Sequence, residues 1–382
     1  MSDSESNSKT GKEIKTETID NLKDEIERIV LTFDAVELLS CLSALWYFVP
    51  ENKVPSDTRV EKGHLHYLTE LFLKNGNIGK KIPTGQDIQQ VEQLLTKYFD
   101  SYIMNTMFEN REKSSTDTEL NFMSKMYAIF RQVNYGGYQF QYDEFVKQVF
   151  GKMSSELLEK IGFTADDAII FGRKILSRYE RLLNERRRNA SEVLKENMSK
   201  LEDPEKGNEL RKFFEQQQME PKEALAIHAQ YGIYYGIGKV FLISPEEFCA
   251  QEEVTDCGKF RRYLHALSGN FGQENANFER PLDHNAIFNR PIIDVGNNQY
   301  FVPIPALLFD LHAIFPSLLA AETRNATTVG IRYSKLKSIY VEDKIEEFLL
   351  RLFPRDALFR NIFYEYAGKR RFNYLFSALI TN

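Results

Sequence analysis

The sequence predicts a mainly α protein with a small α+β part toward the C-terminus. Apolar residues recur at three- and four-residue spacing along most of the chain, the signature of one-sided helices. Strand-like runs are short and confined to the region after Pro221. Composition is that of a globular protein, with 42% hydrophobic and 27% charged residues over 382 positions. A chain of this length holds roughly two or three structural units. Composition shifts divide it into a tail at 1–18, a multi-helix domain at 19–220, an α+β connecting domain with a hairpin at 221–330, and a C-terminal unit at 331–382.

Residues Met1 to Thr18 carry almost no large apolar side chains, so ordering them would not be compensated by burial; they are expected to be a flexible tail. Ile19, Leu22, Ile26 and Ile29 open the first helix. Asp34 is a natural N-cap for a second, more apolar helix through Tyr47, stopped by Pro50. Helices follow over Val60–Lys74 and Thr84–Met107, the latter capped by Thr84 with Asp87 three residues on. Beyond a polar loop at Asn110–Thr118, another helix is expected over Glu119–Arg131, then a bend at the paired glycines of Tyr135–Tyr138. Tyr142–Gly151 and Ser154–Ile161 are short helices, the second ended by Gly162.

From Thr164 to Gln218 the pattern is helical and highly charged, with Thr164-Ala165-Asp166-Asp167 as its start signal. No strict heptad is sustained, so a coiled coil is not expected. After Pro221, Lys239–Ile243 reads as a strand, Ser244-Pro245 opens a helix, and Phe260–Leu267 is helical again. Pro291–Val295, Gly296-Asn297-Asn298 and Tyr300–Val302 make a β-hairpin near 291–303. Ala306–Ala320 returns to helix, with Pro316 expected to kink or end it. Val341–Phe353 is an amphipathic helix whose apolar side is Ile345, Phe348, Leu349 and Leu352. Asn361–Tyr366 and Phe372–Ile380 read as strands around a turn at Gly368-Lys369.

The net charge of −6 argues against a chain that coats nucleic acid indiscriminately, because such binding rests on Lys and Arg displacing counterions; a local basic groove remains compatible with it. Cys41, Cys249 and Cys257 are too few and scattered for a disulfide framework or a four-ligand zinc site, and read as reduced thiols in a cytoplasmic setting. The N-terminus lacks an apolar signal region, and the apolar run Leu38–Val49 is too short to span a membrane, so a soluble protein with no membrane partner is expected.

Most chemical motifs have structural readings. His64 and His66 lie two apart on a helix, a spacing that does not share a face, and suit a surface or half-buried structural role. His228, His265, His284 and His312 fall in separate elements without metal-ligand spacing. Gly232, Gly236 and Gly238 precede a strand rather than following one, and no Ser or Thr follows Lys239, so they suit packing or a bend rather than phosphate binding. Arg186-Arg187-Arg188 reads as a solvated helix face more readily than a phosphate contact. No cofactor-binding motif stands out.

The C-terminal segment carries more. Its helix with Glu342 one turn before Glu346, then strand, turn and strand, resembles the opening of the PD-(D/E)XK (restriction-endonuclease-like, nuclease-related) domain, in the form that follows long helical N-terminal regions. Segments Gly162–Ala168 and Asn289–Ile293 resemble stretches that precede such domains. The resemblance implies a partial helix–strand–strand nuclease-like unit, with Glu342 early in its helix as a ligand for Mg²⁺. Clustered carboxylates suit that ion, which polarises a bound phosphate and activates water. It also implies DNA or RNA as partner, with Lys369, Arg370 and Arg371 meeting the phosphate backbone as point charges, and a setting in defence against phage. The family's acidic pair would fall at Phe372, Asn373, Tyr374 and Leu375, and no Glu-x-Lys follows, so no catalytic residue is assigned. The alternative is a non-catalytic helical scaffold that binds a protein partner.

Overall fold

A computed structural model describes residues 18–48, 60–76, 79–109, 139–203, 236–322, 326–352, 363–366 and 369–372, with 208, 211, 212, 220, 234 and 355 as isolated positions. The tail before residue 18, the Glu119–Arg131 helix and the Tyr135–Tyr138 bend lie outside the described residues. The architecture is mainly helical with a small four-stranded mixed sheet.

The helices are α1 (18–30), α2 (Ala35–Phe48), α3 (Lys62–Lys74), α4 (Gly85–Glu109), α5 (Gln139–Phe150), α6 (Ser154–Lys160) and α7 (Ala165–Glu202). Local signals set their starts. Asp34 accepts from the Glu37 amide at 3.0 Å to cap α2. Thr84 and Asp87 exchange bonds across the first turn of α4, the Thr84 amide reaching the Asp87 carboxylate at 2.8 Å. Thr164 and Asp167 form the same reciprocal box on α7, an arrangement worth about 1 kcal/mol. Gly162, at φ +82°, makes the turn that separates α6 from α7.

After residue 236 come α8 (Gly238–Phe241), strand β1 (Leu242–Ile243), α9 (Pro245–Gln251), α10 (Cys257–Ala266), β2 (Ser268–Asn270), β3 (Ile292–Gly296), β4 (Gln299–Phe301), α11 (Leu311–Glu322) and α12 (Ala326–Leu349). The sheet order is β1-β4-β3-β2, with β2 parallel to β3 and the other pairs antiparallel. The hairpin turns at Asn297 and Asn298, both with positive φ (54° and 58°), the geometry a two-residue turn needs to match strand twist. One contiguous hydrophobic core runs from Ile19 to Leu319, joining α1–α7 to the sheet and α11.

Three expectations are corrected and a fourth is narrowed. Lys239–Ile243 is a helical turn as far as Phe241 and strand only for Leu242–Ile243. Side chains of α7 take up carbonyls here, Arg178 donating to Val240 and Leu242 and the Tyr179 hydroxyl to Phe241 at 2.9 Å, while only Leu242 and Ile243 pair with β4. Pro316, expected to kink or end its helix, does not end it: α11 continues through the proline. A proline leaves the carbonyl four residues back without its helical donor, and here the Tyr333 hydroxyl of α12 donates to that oxygen, on His312, at 3.2 Å. Cys249 and Cys257 are joined in a disulfide, their Cα atoms 5.8 Å apart, where the sequence predicts reduced thiols; Cys41 is a buried free thiol. His64 and His66 are fully buried rather than half-exposed, because α3 is enclosed on nearly all sides.

Candidate functional site

The C-terminal helix is seated by aromatic residues. Tyr333 of α12 stacks on Phe150 at 5.3 Å, and Tyr340 meets Phe145 edge-on at 5.1 Å. Charge adds to this. Lys344 bridges Glu144 of α5 at 2.7 Å and Glu347 on its own helix at 3.1 Å, and Arg332 pairs with Glu156 of α6. The hydrogen bond from Lys344 holds the Glu347 carboxyl below its ordinary range, and the bond to Glu144 pushes the Lys344 ammonium up. α12 thus lies on α5 and α11, with Tyr333, Tyr340 and Lys344 on the packed side.

Glu342 is partly buried on this helix. It stands in the helix's second half, not early in it, because the Ala326–Ser338 stretch continues the same helix upstream. Val341, Ile345 and Phe348 recur at four- and three-residue spacing and so form a stripe about 100° round the helix from Tyr340. Leu352 follows in the turn beyond. Phe348 and Leu352 are 60% and 61% exposed.

Strands β5 (Phe363–Tyr366) and β6 (Lys369–Phe372) follow as an antiparallel pair. Pairing resumes at Lys369, opposite Tyr366, so the second strand begins earlier than the expected Phe372. Antiparallel partners separated by so few residues can pair at once. Lys369, Arg370 and Arg371 therefore stand on the strand itself, opposite Tyr366, Glu365 and Tyr364. Residues 373–382, expected to extend it, lie outside the described residues. The order helix, strand, strand is as the sequence reads it.

Among the described residues, no three His, Cys, Asp or Glu side chains gather closely enough to hold one metal ion. Three of the described histidines have other surroundings, and His228 lies outside the described residues. His64 accepts the Glu61 amide on Nδ1 at 3.1 Å, closing the N-terminal turn of α3, and packs on Phe99; burial pushes its pKa down to about 4. His66 packs on Phe288 and His312 stacks on Tyr142. Gly236 has φ +59°, and a Cβ on Gly238 would stand 2.7 Å from a Glu37 oxygen, so these glycines serve the bend and close packing of α8 on α2. Arg186 donates to the Gly236 carbonyl at 2.8 Å, whereas Arg187 and Arg188 are exposed.

Two features escaped sequence reasoning. Glu70 is fully buried on α3 and ties down the loop at 275–287; its signal is a lone acid in the apolar run Leu65–Leu73. The Cys249–Cys257 bridge is signalled only by a short spacing across a helix–helix loop. No helix among the described residues is long and apolar enough to cross a membrane. No protein-family model, curated protein or solved structure matches the chain.

Proposed function

We propose that the chain is a nuclease-associated protein, a helical accessory region joined to the opening of a PD-(D/E)XK-like unit, which in a longer or assembled form takes part in Mg²⁺-dependent phosphodiester hydrolysis. The observation that carries this reading is the succession of α12 with Glu342, then β5 and β6 as an antiparallel pair with three consecutive basic residues on the second strand. In it, Glu342 contributes one carboxylate to Mg²⁺, and Lys369, Arg370 and Arg371 contact phosphates of DNA or RNA. The described residues offer one such ligand and no complete set, so no catalytic step is assigned to this chain alone. Defence against phage follows from the resemblance only.

The test is cleavage of labelled DNA and RNA by the assembled protein, with Glu342→Gln as control. The expected result is cutting that requires Mg²⁺ and falls at least about 10- to 100-fold in the variant. Cutting without metal, or equal cutting by the variant, contradicts the role of Glu342. No cutting removes the enzymatic part.

One observation favours a second reading, a non-catalytic helical scaffold for a protein partner. α12 is seated on helices by Tyr333, Tyr340 and Lys344, while Phe348 and Leu352 face outward, as side chains at a protein interface do before binding. Failure of the chain to bind nucleic acid at low salt selects this reading.

A further inference from the structure

The α9–α10 corner lies apart from the C-terminal unit and carries chemistry of its own. Cys249 lies near the end of α9 and Cys257 begins α10; both are partly exposed, and their Cα separation of 5.8 Å fits a disulfide without backbone movement. The seven residues between them hold on to the long helix α7. The Glu252 carbonyl accepts from Lys174, and its carboxylate pairs with Arg181. These two cations are seven residues, or about two turns, apart on one helix face. Glu253 adopts a left-handed φ of 51° to make the turn.

The corner also suits the reduced state. Phe248 stacks on Phe260 at 4.6 Å, which keeps α9 and α10 together whether or not the sulfurs are bonded. The Pro245 carbonyl lies 3.6 Å from the Cys257 sulfur, within reach of a thiol proton. Two partly exposed thiols held at bonding distance by an independent aromatic contact are placed for reversible exchange.

We propose that Cys249 and Cys257 are a reversible thiol–disulfide pair that exchanges with low-molecular-weight disulfides of the glutathione type, the oxidised form closing loop 250–256 covalently and the reduced form leaving it held by its contacts with α7 alone. One cysteine thiolate attacks the small disulfide, forming a mixed disulfide and expelling one thiolate. The second cysteine attacks the protein sulfur of that mixed disulfide and expels the other. The protein gives up two electrons and two protons, and one small disulfide becomes two thiols. Cys41 stays out of the exchange: it is buried, its thiol donates to the Tyr234 carbonyl at 3.5 Å, and burial pushes its pKa up to about 12.

The full chain is equilibrated with reduced or oxidised glutathione, alkylated without denaturant and weighed intact. Reduced protein should take up two alkyl groups, with Cys41 protected. Oxidised protein should take up none and weigh about 2 Da less than the unalkylated reduced chain. Cys249→Ser and Cys257→Ser should each retain one reactive thiol and acquire a glutathione adduct instead; protection of Cys41 in them reports that the chain is folded. Hydrogen exchange across 250–256 should be at least about tenfold faster in the reduced form. Two thiols that survive oxidised glutathione, stable mixed disulfides on the unmutated chain, or equal exchange in both forms would overturn the proposal.

Discussion

Glu70 shows how one buried acid organises a long loop. One carboxylate oxygen accepts the Ile287 amide at 2.8 Å and the other the Asn275 side chain at 2.7 Å, and Asn275, held at φ 52°, also donates to the His284 carbonyl. Burial pushes the Glu70 pKa above its ordinary value, and the hydrogen bonds offset this only in part. A folded-state pKa above the unfolded one means that the acid's contribution is fully present below the unfolded value and is lost as pH rises through the folded value. Glu70→Gln removes this titration, so its stability relative to the unmutated chain should rise as pH increases from about 4 to about 8 in urea unfolding; a pH-independent difference would refute the assignment. Glu70→Ala strands the buried Ile287 amide and should cost about 1–3 kcal/mol at low pH, and less as pH rises. The lone acid in an apolar run is all that marks Glu70 locally, because its partners lie some two hundred residues downstream, as Phe288 does from His66.

Among elements, the pairing of α11 with α12 depends on an unusual satisfaction of backbone. Pro316 has no amide to offer His312, and Tyr333 supplies the missing donor from the next helix. Tyr333→Phe keeps the stack on Phe150 and removes only this bond. It should lower stability by about 1 kcal/mol with unchanged denaturant slope, measured by urea titration; an unchanged midpoint would mean that water serves the carbonyl as well. Helix starts are legible in the sequence wherever the cap is local, as at Asp34, Thr84 and Thr164, and so is the Asn297-Asn298 hairpin. Lys239–Ile243 departs from its strand-like pattern because its carbonyls are satisfied by Arg178 and Tyr179 of a distant helix, which no local pattern encodes. Strand β2, three residues long and parallel to β3, is likewise specified by its neighbour and not by its own residues Ser268-Gly269-Asn270.

For the molecule as a whole, the fold class is legible because helical periodicity dominates the chain, and the contiguous core from Ile19 to Leu319 follows from it. The candidate site is legible in its order of elements and less so in its detail. Where α12 begins depends on its packing against α5 and α11, and the register of β5 with β6 depends on pairing. The central proposal is that the three basic residues of β6 contact phosphates of a nucleic acid despite the net charge of −6. Its most direct test is the salt dependence of binding to labelled DNA and RNA, comparing the chain with its Lys369→Ala, Arg370→Ala, Arg371→Ala triple variant by fluorescence anisotropy. Each cation withdrawn from a phosphate lowers the log–log salt slope by about 0.9 on duplex DNA, so the variant should bind more weakly with a slope about 2.7 units shallower. Identical slopes, or no binding by the unmutated chain at low salt, would contradict the account.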